Sequence, residues 1–461
     1  MKNMTNQTKK NISGNNSYNS TLNPNLNQRK YFIKIIVTVV YFKLIYSQSI
    51  ILCEDPINNK NSELTKSESP KLYCTITVEA DSFKTKILVT VFVKKSKTRS
   101  WFSCWENTNE ENYYELQDQK GNTYDSGLIQ LYNEEQESLD IIQDLLNYSK
   151  YFLKKQYNYY NTPLVFALTA GLRLFDEQSK AIVNKVNNIL TEYHDAHNDA
   201  YQINENTVFI MNENNEGVYA WLTVNFMKNN LKDFDDTIAV LDLRDSSLQI
   251  TFYVPHENLQ HYDYRLLKKY TIMEIERHFY NQSHIDFGLM EMRIKILTIN
   301  DNKSTYSSPC HLTSDNFSYT YLFKNYKITG SSPVNDIYTQ CFTAVQSLIT
   351  KNVNKVTIKQ PIMAISFFYE TAKVANLVRN TEKCITIEKF NKVAIKCFSQ
   401  TFDDSKPFKC FDLVYIYLLL NQLTDFGDNS SITVKNYDII SEISWALGAA
   451  YLKLPIIQNN I

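Results

Sequence analysis

Apolar residues along this chain fall into two strand pairs of one design and three helical faces. Ile76-Thr77-Val78 and Ile87 to Val93 are β-rich runs on either side of a polar loop, Glu79 to Thr85, and predict a hairpin. The design returns at Ile238-Ala239-Val240-Leu241 and Leu248 to Val254, around Asp242 to Ser247. In both, an acidic residue closes the first strand and a hydroxyl follows within a few positions. One such unit in each half suggests a duplicated domain. Helical spacing appears at Ile182, Val183, Val186, Ile189 and Leu190, after the first-turn acids Asp176 and Glu177. A second apolar face is formed by Ile337, Phe342, Val345, Leu348 and Ile349, and a third by Tyr415 to Leu423. Helices alternating with strands of this kind give an α/β class.

The N-terminal region has another character. Residues 1–30 are polar and asparagine-rich, with nothing to build a core, and are expected to be disordered. Tyr31 to Leu52 is apolar but interrupted by Lys34 and Lys43, and its cleanest run, Ile35 to Phe42, is short of the roughly 20 residues a spanning helix needs. Between a polar tail and the linker Asp55 to Pro70, segment 31–52 reads as a signal peptide or a signal anchor, with a buried strand as the alternative. Entry into the secretory pathway follows, with possible membrane contact through 31–52.

With 461 residues the chain is too long for one ordinary core, so two domains are expected. Its 48 Lys and Arg balance 49 Asp and Glu, a net charge of −1, which argues against a nucleic-acid or anionic-lipid partner. Only nine glycines are present, against roughly 7% in average proteins, so each is informative. Eight cysteines form no C-x-x-C pair, which argues against zinc and thioredoxin chemistry. An even count in a secreted chain favours disulfides. Sequons stand at Asn147, Asn281, Asn302, Asn316 and Asn429.

Four further segments carry chemistry. Thr169-Ala170-Gly171-Leu172-Arg173 resembles A-T-A-G-M-R, and Glu216-Gly217-Val218-Tyr219-Ala220-Trp221-Leu222-Thr223-Val224-Asn225 resembles E-E-G-x-Y-G-W-x-T-x-N. Val240 to Phe252 is similar to A-L-D-L-G-G-A-S-T-Q-I-T-F, while Cys410-Phe411-Asp412 and Ser444 to Gly448 look like C-F-D and G-W-x-L-G. In this order the strings resemble the apyrase family of nucleoside tri- and diphosphate phosphohydrolases, over residues 66 to 455. The resemblance implies two actin-like (ribonuclease H-like) α/β domains with a nucleotide cleft between them. Domain I would cover 66–205 completed by 441–461, and domain II 206–440. It also implies a Cys397–Cys410 bridge, with Cys310 and Cys341 each in a bridge.

By the same resemblance the substrates are nucleoside di- or triphosphates, and hydrolysis needs a phosphate cradle, a divalent cation and a base that aims water in line. Glu216, in a turn-like Asn214 to Gly217 segment before an amphipathic helix, is the expected base. Ser247 and Gln249 hold the water. Ser82, Thr85, Thr169, Gly171 and Gly217 are the expected phosphate contacts, and Asp242 with Glu79 would hold hydrated Ca²⁺ or Mg²⁺ through waters. Tyr369, in Phe367-Phe368-Tyr369, matches a base-stacking cluster, or belongs to the core of a helix. The cradle departs from the family. D-A-G-S-S-x-T is here Glu79-Ala80-Asp81-Ser82-Phe83-Lys84-Thr85, and the second loop's G-G is Arg244-Asp245. Asp81 and Asp245 bring negative charge toward a polyanion, at about 1–4 kcal/mol per pair near 4 Å. Arg244 and Lys84 are candidates to compensate by contacting phosphate. A non-catalytic binding or interaction protein on the same scaffold is the alternative.

Overall fold

The computed structural model describes residues 71–81, 84–97, 111–124, 127, 135–157, 162–169, 176–197, 201–273, 275–299, 306–321, 324–350, 353–379, 382–400, 405–425, 427–435 and 445–454. The tail 1–30, segment 31–52, Ser82 and Gly171 lie outside them.

The first sheet grows from β1 (Leu72–Ala80), which pairs antiparallel with β2 (Thr85–Lys97) and parallel with β4 (Thr162–Leu168). Strand β3 (Glu111–Tyr124) extends it beyond β2, and β5 (Tyr201–Gln202) and β6 (Val208–Ile210) pair parallel with β4. The order is β3-β2-β1-β4-β5. The predicted loop Glu79 to Thr85 is shorter than expected, because Glu79 and Ala80 stay paired with Lys86 and Thr85. The Asp81 amide donates to the Lys84 carbonyl at 3.0 Å, and the Lys84 amide donates to Asp81 Oδ1 at 2.6 Å. The aspartate side chain thus builds the turn.

The second sheet repeats this plan around β7 (Ala239–Leu243), antiparallel to β8 (Ser247–Tyr253) and parallel to β14 (Ile362–Ser366). With β9 (Leu267–Ile272), β10 (Ile275–Ile285), β15 (Glu382–Thr386) and β16 (Ser431–Lys435) the order is β15-β16-β14-β7-β8-β10-β9. Its inner run β10-β8-β7-β14-β16 has the same sequence of antiparallel and parallel pairings as β3-β2-β1-β4-β5. The duplication expected from the sequence is therefore a duplication of topology. A small third sheet holds β11 (Tyr306–Leu312), β12 (Asn316–Tyr321) and β13 (Lys324–Ser332).

The helices are α1 (Glu135–Gln156), α2 (Asp176–His197), α3 (Glu213–Met227), α4 (Leu289–Thr298), α5 (Ile337–Thr350), α6 (Phe367–Val374), α7 (Ile387–Phe398), α8 (Lys409–Leu423) and α9 (Ala446–Leu452). The three helices expected from spacing are α2, α5 and α8. Strand alternation sorts the side chains. Ile76, Val78 and Ala80 pack with Ile142 and Leu146 of α1 and Ile182 and Val186 of α2, which leaves Thr77 and Glu79 on the opposite face. In the second sheet Leu241, Leu243, Leu248 and Ile250 join one core, while Val240, Met363 and Ile365 face another. That other core also takes Leu88 and Phe92 of β2, with Trp221 of α3 and Leu447 of α9. Helices α3 and α9 therefore form a layer shared by both sheets.

This layer explains a difference from the sequence reading. Asn214 to Gly217 is already helix, capped by Asn212, whose side chain accepts from the Asn214 amide at 2.8 Å. From Glu216 to Asn225 the helix is buried on nearly every side, so it is not amphipathic. Cys397 is bridged to Cys410, and Cys310 and Cys341 are bridged to each other. Asn281 is buried in β10, accepting from Thr251 Oγ1 and donating to the Asn214 carbonyl, so its sequon is closed to modification in the folded chain.

Gly448 marks where α9 meets α3. A Cβ there would lie 2.0 Å from the Tyr219 carbonyl oxygen, and the Gly448 amide donates to Thr223 Oγ1 at 2.8 Å. Gly448→Ala should destabilise the protein by roughly 1–3 kcal/mol or more. Gly427→Ala, where an added Cβ meets nothing within 4 Å, should stay within about 0.5 kcal/mol. Urea melts of the two variants check this; equal melts would refute the close-packed junction.

Candidate active site

Glu79 and Asp242 are each the penultimate residue of the central strand in their sheet, on the face turned toward the shared helical layer. The turn that follows Asp242 is pinned hard. The Arg244 amide donates to the Ser247 carbonyl at 2.8 Å, while Leu289 and Met290 amides at the start of α4 donate to the Arg244 and Asp245 carbonyls at 2.9 Å. Helix-start N–H groups that lack intrahelical partners are thereby satisfied. Gly288 permits this approach, since a Cβ there would lie 2.3 Å from the Asp245 carbonyl.

The Arg244 guanidinium is drawn toward acidic side chains of other elements. Its Nη2 is ion-paired with Glu79, and its Nε lies 3.6 Å from Glu216 Oε1. Arg244 is 6% exposed, and its neighbours Glu79, Glu216 and Asp242 are almost wholly buried. The three carboxylates and Asp81 hold the guanidinium charged against its own desolvation. Burial pushes Asp242 up to about 6; Arg244 and a 2.5 Å hydrogen bond from Ser366 Oγ oppose the shift, and Glu216 and Glu79 add to it. Burial also raises Asp245 to about 7, helped by Asp81 and resisted by Arg244.

Behind Arg244, Gln249 Nε2 donates to Ser247 Oγ at 3.1 Å, and both side chains project from β8 on the face of Asp242. Thr169 follows β4 directly, its amide donating to the Ala80 carbonyl at 2.9 Å. Four buried oxygens here have no hydrogen-bond partner among the described residues: Thr169 Oγ1, Asp242 Oδ2, Asp245 Oδ2 and Gln249 Oε1. Asp242 and Gln249 are register partners on adjacent strands, so two of these oxygens stand on neighbouring positions of one sheet face.

In front lies a cavity of about 580 Å³. Asp81, Lys84 and Lys86 line it from the first sheet; Arg244, Asp245, Tyr369 and Phe408 line it from the second half. Both new aspartates therefore face the cleft. Tyr369 reaches the cavity wall but is itself buried and shares its core with Phe368. Thr85 is buried on the face of Ala80 and Ile87, away from Glu79, because it is one residue out of phase; Lys86, the register partner of Glu79, reaches the cavity instead. Gly217 is explained by packing, since a Cβ there would lie 2.5 Å from Thr251 Oγ1 of β8. Ser82 and Gly171 fall outside the described residues.

Two contributors escaped the sequence reading. Ser366 ends β14 as Thr169 follows β4, and it holds Asp242 from a left-handed backbone, φ 59°, a conformation that costs a non-glycine residue about 1 kcal/mol or more. The duplicated topology was the signal that could have found it. Arg293 of α4 forms a two-pronged pair with Asp412, at 2.9 and 2.6 Å, in the cavity wall. That pair explains the aspartate of Cys410-Phe411-Asp412.

A carboxyl whose folded pKa is raised stabilises the fold fully below its unfolded pKa and loses that contribution as pH climbs through the folded value. For Asp245 the window runs from about 4 to about 7. Asp245→Asn should therefore melt above wild type at pH 7.5, by about 2 °C or more, with the gap closing toward pH 4. Scanning calorimetry across that range checks it, and a gap independent of pH would refute the assignment.

Comparison with known proteins follows the same lines as the geometry. Residues 66–460 match the profile of the GDA1/CD39 (nucleoside phosphatase) family. Ectonucleoside triphosphate diphosphohydrolase 6 of Mus musculus is 30% identical over 341 residues, covering 70% of this chain and 72% of the relative. Ectonucleoside triphosphate diphosphohydrolase 5 of Bos taurus is 25% identical over 393 residues, covering 82% and 86%. Among solved structures, nucleoside triphosphate hydrolases from Neospora caninum share the fold with TM-score 0.53 and 13% identity, over 82% of this chain and 92% of that one. The duplicated sheets, the cleft and the profile that spans them agree: the chain belongs to the GDA1/CD39 (nucleoside phosphatase) family.

Proposed function

We propose that this chain hydrolyses the phosphoanhydride bonds of nucleoside di- and triphosphates, with Glu216 as general base. What supports the reading is buried Glu216 beside Arg244, with the Ser247–Gln249 pair on the strand next to Asp242, near a cavity whose lining includes Arg244 and residues of both halves. Gln249 Oε1 and Ser247 Oγ hold the attacking water, and Glu216 takes its proton as the oxygen closes on the terminal phosphorus and the bridging anhydride oxygen leaves with the shortened nucleotide, releasing inorganic phosphate. Thr169 donates to that phosphoryl group, and Lys84 and Lys86 neutralise its oxygens. Tyr369 meets the base. The two domains are 66–205 with 441–461, and 206–440.

Family resemblance adds a Ca²⁺ or Mg²⁺ ion, held through water by Asp242 and Glu79. The donors present do not fit that task. Glu79 is engaged by Arg244, and Asp242 Oδ1 is engaged by Ser366.

One observation favours a second reading, nucleotide binding without turnover: Arg244 lies within 3.6 Å of the base itself. We also propose entry into the secretory pathway through segment 31–52, with cleavage and anchoring both open; two disulfides support it. Among the described residues no helix is long and apolar enough to cross a membrane. Recovery of the native protein from cytosol with all cysteines reduced would exclude secretion.

Glu216→Gln keeps the shape and removes the base. Phosphate release from ATP, ADP or UDP should fall by about 10² or more, while ADP affinity by calorimetry stays close to wild type. Undiminished turnover in the variant would discard Glu216 as the base. A wild type that binds every nucleotide and turns over none would select the second reading.

A further inference from the structure

The turn between β7 and β8 puts a fixed cation where the fold needs one. Arg244 reaches Glu79 of the first sheet with Nη2 and Glu216 of α3 with Nε, and Asp242 adds its own negative field to the same guanidinium. Three acidic side chains from three elements thus surround one positive group. A guanidinium stays charged at every pH a protein tolerates, and its five N–H groups exceed what two carboxylates use. Arg244 also lines the cavity, so the same group is within the region that a phosphate chain would enter. The turn that carries it is locked by backbone hydrogen bonds from the Arg244, Asp286, Leu289, Met290 and Glu291 amides. A mobile divalent ion added between Glu79 and Asp242 would meet this positive charge at close range.

We propose that the Arg244 guanidinium takes over the charge-neutralising role of a divalent cation, so that nucleoside phosphates bind this cleft without one. The inference rests on the reading that the cleft takes nucleoside phosphates. It assigns Arg244 a substrate-binding role that the family's glycine at this position does not have. Lys84 and Lys86 on the opposite hairpin complete the positive lining.

The test is equilibrium binding of ADP to the full chain by calorimetry, in EDTA and in Mg²⁺. Wild type should bind with affinities within about threefold in the two conditions, since the lost cation bridge is replaced by charge-assisted hydrogen bonds. Arg244→Gly should lose roughly tenfold or more in EDTA and recover in Mg²⁺, because Glu79 is then released to meet the ion. Should that variant fail to fold, Arg244→Lys, which keeps the charge, is expected to bind in EDTA nearly as wild type does. Wild-type binding that needs Mg²⁺ by tenfold or more overturns the inference while leaving the nucleotide cleft intact. Absence of ADP binding in both conditions overturns the cleft reading and this inference with it.

Discussion

The buried ion pair between Arg244 and Glu79 is the contact on which the rest of the cleft depends. Each partner comes from a different sheet, and each is almost completely withdrawn from water. Burying an ion costs several kcal/mol, and the pairing recovers this only with good geometry and more than one partner. Here Glu216 and Asp242 add to the field at the guanidinium, and α4 fixes the turn that carries it. Removal of either partner strands a buried charge, so the two halves are tied together by electrostatics at the very spot where their acidic residues meet.

The scaffold around the pair is held by close backbone approaches. Gly217 lets α3 lie against β8 and β10, and Gly448 lets α9 lie against α3. Trp221 fills the space between, edge-on to Phe279 with ring centroids 4.8 Å apart. In a chain with nine glycines these positions are glycine, while the two hairpin loops carry Asp81, Arg244 and Asp245 where the family pattern has glycine. The residues that replaced them have structural occupations: Asp81 ties its own turn, and Arg244 crosses to the other sheet.

Much of this was legible in the sequence because it rests on local pattern. The paired strands, the helices at 176–197 and 409–423, and the acidic strand ends all follow from periodicity and turn chemistry. Family resemblance supplied the Cys397–Cys410 bridge, but not that Cys310 and Cys341 pair with each other, a contact between β11 and α5 that no local signal encodes. The ion pair of Arg244 was illegible for a related reason: its partner Glu79 is 165 residues away. Helix α3 looked amphipathic because its burial comes from two sheets at once, and Thr85 was misjudged by a single step of strand alternation. What distant elements decide, a linear reading leaves open.

The hydrogen bond from the Lys84 amide to Asp81 Oδ1 has one more effect. A glycine-rich phosphate loop gains its shape partly from its ligand and surrenders backbone freedom when the ligand arrives. A loop tied by its own side chain has surrendered that freedom on folding. A ligand of the kind proposed would meet Asp81 and Lys84 already tied to each other, with less freedom left to lose there. The negative charge that opposes a polyanion comes from the same atom group that pre-shapes the loop. Electrostatic cost and pre-organisation are here two sides of one substitution.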